Sequence, residues 1–577
     1  MFNRYFQEEM GHLKDLGEEF SKAHPSLAPL LSGSSADPDV ERLLEGVAFL
    51  TALLRQKLDD EFPELINELM QLIWPHYLRP IPSATMMAFA PKPTLKQSLT
   101  IPAGIHVASI PVEGTSCLFR TSYEVDVHPL QLLEASFAQP SGRPPVIKLL
   151  FELNGLKASD WQPKKLRLFL AGDYPNAVDI YFLLRRHLKR IVVTPHEKGS
   201  SCILPPECLK PVGFSDQETM IPYPSHSFPG YRILQEYFIS PEKFLFIDLV
   251  GWEQWHDRGE GSRFEIQFEL EDLPFAPPRV RRDHFVLFVT PAINLFPNEA
   301  DPILLDHRKP HYLVRPSGSN PGRYQIYSVD RVVGYIQGTA QERRYVPFEV
   351  FDPDPHSAPV YHVTFRGSPV RTGFDVYLSV AYPPEAGPPS SETLSIQLQC
   401  TNGVLPESLR AGDVSLPTSS SPEFVEFKNI LPPTNSILPS LGTNLLWRLL
   451  SHLSLNYLSL AKAENLRALL QLYLFQGSRD QTATLANRKR IGGIEGVESR
   501  SSDRLVSGLL MRGQEIRMKM RQDQFASQGD LFLFGSVMDH FLGGYASLNT
   551  FTRLIIQEIT KGDAYQWPAR VGDRPLI

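Results

Sequence analysis

Four cysteines in 577 residues leave little room for chemistry that depends on thiols. Cys117, Cys202, Cys208 and Cys400 show no metal-finger spacing and only Cys202 and Cys208 are near neighbours, so free thiols in a reducing compartment are the expectation. No apolar run approaches the roughly 20 residues that span a bilayer. The acidic, amphipathic start MFNRYFQEEMGHLKDL also has none of the basic-then-apolar order of a signal peptide. A soluble chain, neither exported nor inserted in a membrane, follows. Positive charge is not in excess: a net charge of −7 argues against broad attraction to nucleic acid or anionic lipid. Catalytic signatures are missing as well. There is no His-Glu-x-x-His, no Gly-x-Ser-x-Gly elbow, no CxxC pair, no dinucleotide glycine fingerprint and no EF-hand spacing. No catalytic, cofactor or metal residue is assigned.

What is present describes a folded protein of several parts. The hydrophobic share of 42% and charged share of 21% are those of a globular chain. Its length is too great for one core and predicts about three to four domains. Proline is abundant, 51 residues against a usual share of about 5%, and because it interrupts helices and central strands alike it points to a β-rich middle.

Tyr5, Phe6, Met10, Leu13, Leu16 and Phe20 trace a first helix ending before His24-Pro25. Asp37 is placed to cap a second, with Pro38 at its first position and Asp39 and Glu41 beside its positive end. Val40, Leu43, Leu44, Val47, Leu50, Leu54 and Leu58 then recur at steps of three and four, one apolar stripe, while Phe49 and Leu53 widen it to a second side. Asp59-Asp60 and Pro63 predict a break and restart, hence a helical hairpin between Asp37 and Pro82.

Beyond residue 88 short runs rich in β-branched and aromatic residues alternate with Pro and Gly. One candidate helix, Ala177 to Leu188, carries Arg185, Arg186, Lys189 and Arg190 at its end, read as a solvated helix terminus. Asp306, His307, His311 and His362 form the best imitation of a metal or acid–base cluster, but Pro310 argues against the helix that would bring His307 and His311 together. After residue 430 the chain turns helical, with Trp447 inside the leucine-rich run LLWRLLSHLSLNYLSL. A polar loop over Arg488 to Ser502, a strand from Gln514 to Met520 and an apolar helix from Asp530 to Tyr545 complete it. The predicted class is α+β multidomain: a helical bundle over 1–88, β-rich sandwich or barrel domains over 89–280 and 281–430, and a mixed α/β domain over 431–577.

The strings DPDVERLLEG, QKLDDEFPEL and WPHYLRPIPS near the start resemble the TssF (ImpG/VasA) family of type VI secretion baseplate subunits. So do TPAINLF, LDHR and YSVDRV in the middle, and LLWRLL, RGQEIRMKM, GDLFLFGSVMDHFLGGYASLNTFTRL and WPARVGDRPL toward the end. The resemblance implies a structural wedge subunit, assembling in pairs with TssG and linking to TssK, TssE, spike and contractile sheath at the cytoplasmic face of the inner membrane. It implies no cofactor. A baseplate protein of a contractile phage tail, or a β-sandwich hydrolase, are the alternatives. Leu43, Leu50 and Leu54 in the helix bundle, and Trp447, Leu450 and Leu458 near the C-terminus, are the expected partner-contact residues.

Overall fold

The computed structural model describes residues 2–23, 38–73, 75–140, 142–223, 228–318, 321–336, 338, 341–348, 359–369, 373–382, 391–439, 462–475, 480–506 and 509–572. Eight helices lie among them: α1 (Phe2–Ala23), α2 (Pro38–Ile73), α3 (Pro75–Leu78), α4 (Tyr174–Arg186), α5 (Pro229–Ile239), α6 (Ala463–Gln471), α7 (Gln481–Gly492) and α8 (Gln528–Gly543). The described residues up to Pro75 belong to one compact unit, and those from His76 to another.

In the first unit α1 and α2 pack on each other around small residues. Ala48 and Ala52, one turn apart on α2, are fully buried, which lets the backbones approach. Ion pairs flank them: Arg55 with Glu9 at 2.7 Å and Glu8 at 3.7 Å, Lys14 with Glu41 at 3.6 Å. The predicted break at Asp59-Asp60 is absent. α2 runs unbroken for 36 residues, so the hairpin is made by α1 and α2 and not within Asp37 to Pro82. Pro63 removes one N–H bond at a cost of about 3 kcal/mol, yet the helix continues through it to Ile73.

The second unit is built on an antiparallel six-stranded sheet in the order Val414–Leu416, His106–Val112, Thr115–Thr121, Val289–Ile293, Ala84–Pro91, Val425–Asn429. Its two end strands approach each other and nearly close a barrel. Asn429, 1% exposed, sits at the seam: its carbonyl oxygen accepts from the Gly412 and Val414 N–H groups and its amide donates to the Arg410 and Leu431 carbonyls, all at 2.9 Å. This sheet takes strands from both sides of the expected boundary at residue 280, because antiparallel partners need not be sequence neighbours.

Two further sheets accompany the barrel. One is five-stranded, in the order Cys202–Leu204, Leu188–Pro195, Arg263–Leu270, Val146–Leu153, Leu130–Ala138. The other is four-stranded, Leu209–Pro211, Phe246–Leu249, Leu166–Leu170, Phe285–Leu287. Trp161, Trp252, Trp255 and Phe264 fill the space behind the first, with the Trp161 and Trp252 rings 5.0 Å apart. An eight-stranded sheet takes all its strands from between Phe296 and Thr401. The chain leaves for it after Asn294 and returns at Asn402; the buried Asn294 side chain donates to the Asn402 side-chain oxygen at 2.8 Å and accepts from the Asn402 backbone N–H at 2.6 Å.

The C-terminal residues share a core with the middle of the chain. α8 is apolar all round and almost wholly buried, against α4, α5 and strand Thr550–Glu558. Gly529 is needed there, since an added Cβ would overlap the Val178 carbonyl of α4. Asp530, fully buried, gathers partners from two distant segments, Tyr174 Oη at 2.8 Å and Arg490 Nε at 3.0 Å, and from just before its own helix, the Ala526 N–H at 3.1 Å. Glu236 and Lys243 form a second sealed pair; Glu236 accepts from the Met220 and Ile221 N–H groups at 2.7 and 2.9 Å, and burial brings Lys243 down to about 8. The expected polar loop over Arg488 to Ser502 is instead the end of α7 and the strand Ile494–Val506, paired with Leu509–Met520 in a long hairpin. Both faces of that ribbon meet solvent over much of its length, so the polar and apolar alternation that announces a strand is missing.

Candidate interaction surfaces

A helix that packs on one partner with its small residues has its large ones left over. On α2 Leu43 is 70% exposed, Leu50 and Leu54 62% each, and Val47 46%. Steps of four, three and four put them on one face. Phe49 and Leu53 broaden it, and α1 adds Leu16 and Phe20, also exposed. The three leucines expected from sequence as partner contacts are thus uncovered in the isolated chain. Trp447, Leu450 and Leu458 lie outside the described residues.

A second apolar surface was not foreseen. Leu505 and Leu510 face each other across the tip of the hairpin, 73% and 78% exposed. Strand Thr550–Glu558 supports the ribbon only from Arg512 onward, so the tip stands clear of the sheet. The sequence signal is the apolar string LVSGLLM, interrupted by a Ser-Gly pair, in an otherwise polar stretch.

The histidine group of the eight-stranded sheet does not converge. Asp306 accepts from Tyr312 Oη at 2.9 Å and the Arg308 N–H at 3.2 Å, hydrogen bonds that hold its carboxyl below the usual range. His307 sits in a left-handed turn against Tyr382, while His362 lies on strand Val360–Gly367 beside Phe348. No group of three or more metal-ligating residues occurs among the described residues. Nor is any described helix long and apolar enough to cross a membrane. The basic residues near α4 are divided: Arg185 bonds the Leu209 carbonyl, and Arg190, on the following strand, pairs with Glu269 at 2.6 Å. They are therefore not one solvated helix end, because the helix stops at Arg186.

Leucines left bare along a helix face of the first unit and at a hairpin tip of the second are what an assembly subunit presents, a protein that works through surfaces other chains cover. The model of the family described as type VI secretion system, TssF, matches residues 1–574, and the chain belongs to that family. It is 29% identical to the type VI secretion system component TssF1 of Pseudomonas aeruginosa, over 99% of both chains. Among solved structures it resembles a chain of the TssK-TssF-TssG baseplate subcomplex, at 30% identity and a TM-score of 0.77, over 93% of this chain and 99% of that one. A chain of the type VI secretion baseplate complex, 24% identical with a TM-score of 0.59 over the whole of both, shares the fold.

Proposed function

We propose that this chain is a structural wedge subunit of the type VI secretion baseplate, acting by assembly and conformational change with no bond made or broken. The observation that carries the reading is the match over nearly the full chain to a family whose solved member sits in a complex with TssK and TssG. TssG and TssK are its partners, and a second copy of the chain, TssE, the spike and the sheath complete the assembly at the cytoplasmic face of the inner membrane. The bare stripe of α2, with Leu43, Leu50 and Leu54, meets TssG; the region of Trp447, Leu450 and Leu458 supplies a further contact. Apolar side chains this exposed each stand to gain about 1–2 kcal/mol on being covered, which suits a surface made for a partner.

Co-expression with TssG, capture on a tag and mass measurement of the particle test this. The expected result is a stable complex with more copies of this chain than of TssG. A well-behaved lone monomer that ignores TssG would overturn it.

A further inference from the structure

Where the barrel meets the four-stranded sheet lies a cleft of about 860 Å³ that none of the surfaces above includes. Phe288 makes the corner. Its φ of 57° is unusual for a bulky residue and turns the chain from strand Phe285–Leu287 into strand Val289–Ile293. Strand Ala84–Pro91 follows the latter only as far as the Ala88–Val289 pair. The Phe89 N–H then bonds the Phe288 carbonyl at 3.0 Å, and the strand runs on to Pro91 with no described strand on that side. Phe285–Leu287 is the last strand of its sheet, and Leu130–Ala138 the last of the five-stranded sheet. Three open strand edges therefore converge on one cleft.

Open edges invite pairing unless blocked by charge, proline or cover. On the cleft floor the side chains are small or apolar up to Pro91, which ends its strand, and the charges stand at the rim. Ala88 and Ala90 alternate with the buried Met87 and Phe89 and form a low floor, and the half-buried Val286 and Leu287 line one side. The rim carries Arg281, Arg282 and Lys428 against Asp283 and Glu426, a small positive excess on a chain of net charge −7, with Arg281 paired to Asp283 at 3.6 Å and the exposed Arg279 on the same segment. A floor of methyl groups between free strand edges fits a peptide backbone better than a ring system. The rim charge favours carboxylates.

We propose that this cleft takes an extended, acidic segment of another baseplate subunit, added as a strand along Phe285–Leu287, with its carboxylates at Arg282 and Lys428. The inference rests on the baseplate reading. It is tested in the complex purified after co-expression with TssG, TssK and TssE, with photoreactive benzoylphenylalanine installed at Ala90, in a second preparation at Val286, and in a control at the exposed Lys198. After irradiation, both cleft positions should crosslink to one contiguous segment of a single partner subunit, a segment carrying at least two carboxylates. The control should not reach that segment. Arg282→Glu with Lys428→Glu should cut the crosslink yield about tenfold while leaving subunit composition and melting temperature unchanged. Crosslinks scattered over several sequences, confined to this chain, or insensitive to the charge reversal, or no crosslink at all in an intact complex, would overturn the proposal. A chain that joins no complex would overturn the baseplate reading itself, and this inference with it.

Discussion

Replacing Leu50 and Leu54 by aspartate separates a partner surface from an ordinary core. Both side chains are 62% exposed, and full burial of a leucine is worth about 1.5–3 kcal/mol, so the exposed remainder holds about 1–2 kcal/mol each. The double variant loses about 2–4 kcal/mol of contact on binding, and each carboxylate forced into an apolar interface adds about 1–3 kcal/mol more. A loss of about 4 kcal/mol, the low end, is already about 700-fold in affinity. The isolated chain has much less at stake: solvated surface substitutions cost up to about 0.5 kcal/mol each, of which helix propensity is a part. Leu50→Asp with Leu54→Asp should therefore fail to retain TssG on co-purification, while its urea midpoint and far-ultraviolet spectrum stay close to those of the parent. Retention of TssG at parental yield would refute the placement of the contact. An unfolded or insoluble variant would show that the two leucines are core despite their exposure.

Other consequences concern the second unit. His540 stacks on Phe214 at 4.1 Å and takes a hydrogen bond on Nε2 from Arg570 at 2.7 Å, which only a neutral imidazole can accept; burial, with Arg570 and Arg232, holds it well below 6.5. Because its folded pKa is depressed, acidification through about 6.5 should cost stability at up to about 1.4 kcal/mol per pH unit. Burial raises neighbouring Asp539 to about 6, so the folded state takes that proton first and offsets the loss below pH 6. Urea midpoints from pH 7.5 to 5 should thus fall and then level, with His540→Gln removing the fall and Asp539→Asn removing the levelling. Arg490→Met leaves the Asp530 carboxylate buried with one partner fewer and should cost about 3–5 kcal/mol, partly recovered by adding Asp530→Leu, as read from thermal melts. Asn429→Ala removes the barrel-seam amide and should cost about 2–4 kcal/mol, since buried backbone groups lose partners; a melting temperature within a degree of the parent would contradict the seam.

Local features were legible in the sequence where a single element decides them. The start of α2 follows from Asp37-Pro38 and the leucine period, and the burial of α8 from its all-round apolarity. The course of α2 through Pro63 was not legible, because a proline signals a break and its cost is settled only by packing. The barrel was hidden for a different reason: its strands come from 84–121, 289–293 and 414–429, and such pairing leaves no trace in local spacing. Periodicity likewise placed Leu43, Leu50 and Leu54 on one face without telling that α1 leaves this face bare. The Leu505–Leu510 pair escaped because two apolar residues on either side of a Ser-Gly pair look like any strand end.

The two units hold together by different means, and this bears on how the subunit is put to use. Asp530 ties residues 174 and 490 to α8, and Asn294 with Asn402 clamps the neck of the eight-stranded sheet; buried contacts between segments so far apart in sequence place this part of the second unit at the high-stability end of the openings. The α1–α2 pair has Ala48 and Ala52 at its centre and ion pairs whose exposed side chains are worth at most about 1 kcal/mol each. Leu43, Val47, Leu50 and Leu54 of α2 and Leu16 and Phe20 of α1 are exposed, so apolar surface that would help order it has yet to be buried. Amide exchange should therefore be fast in α1 and α2 of the free chain and slow once TssG is bound, with α8 protected in both states. Equal protection of α2 with and without TssG would mean that the helix pair is complete by itself, and the bare stripe would need another explanation.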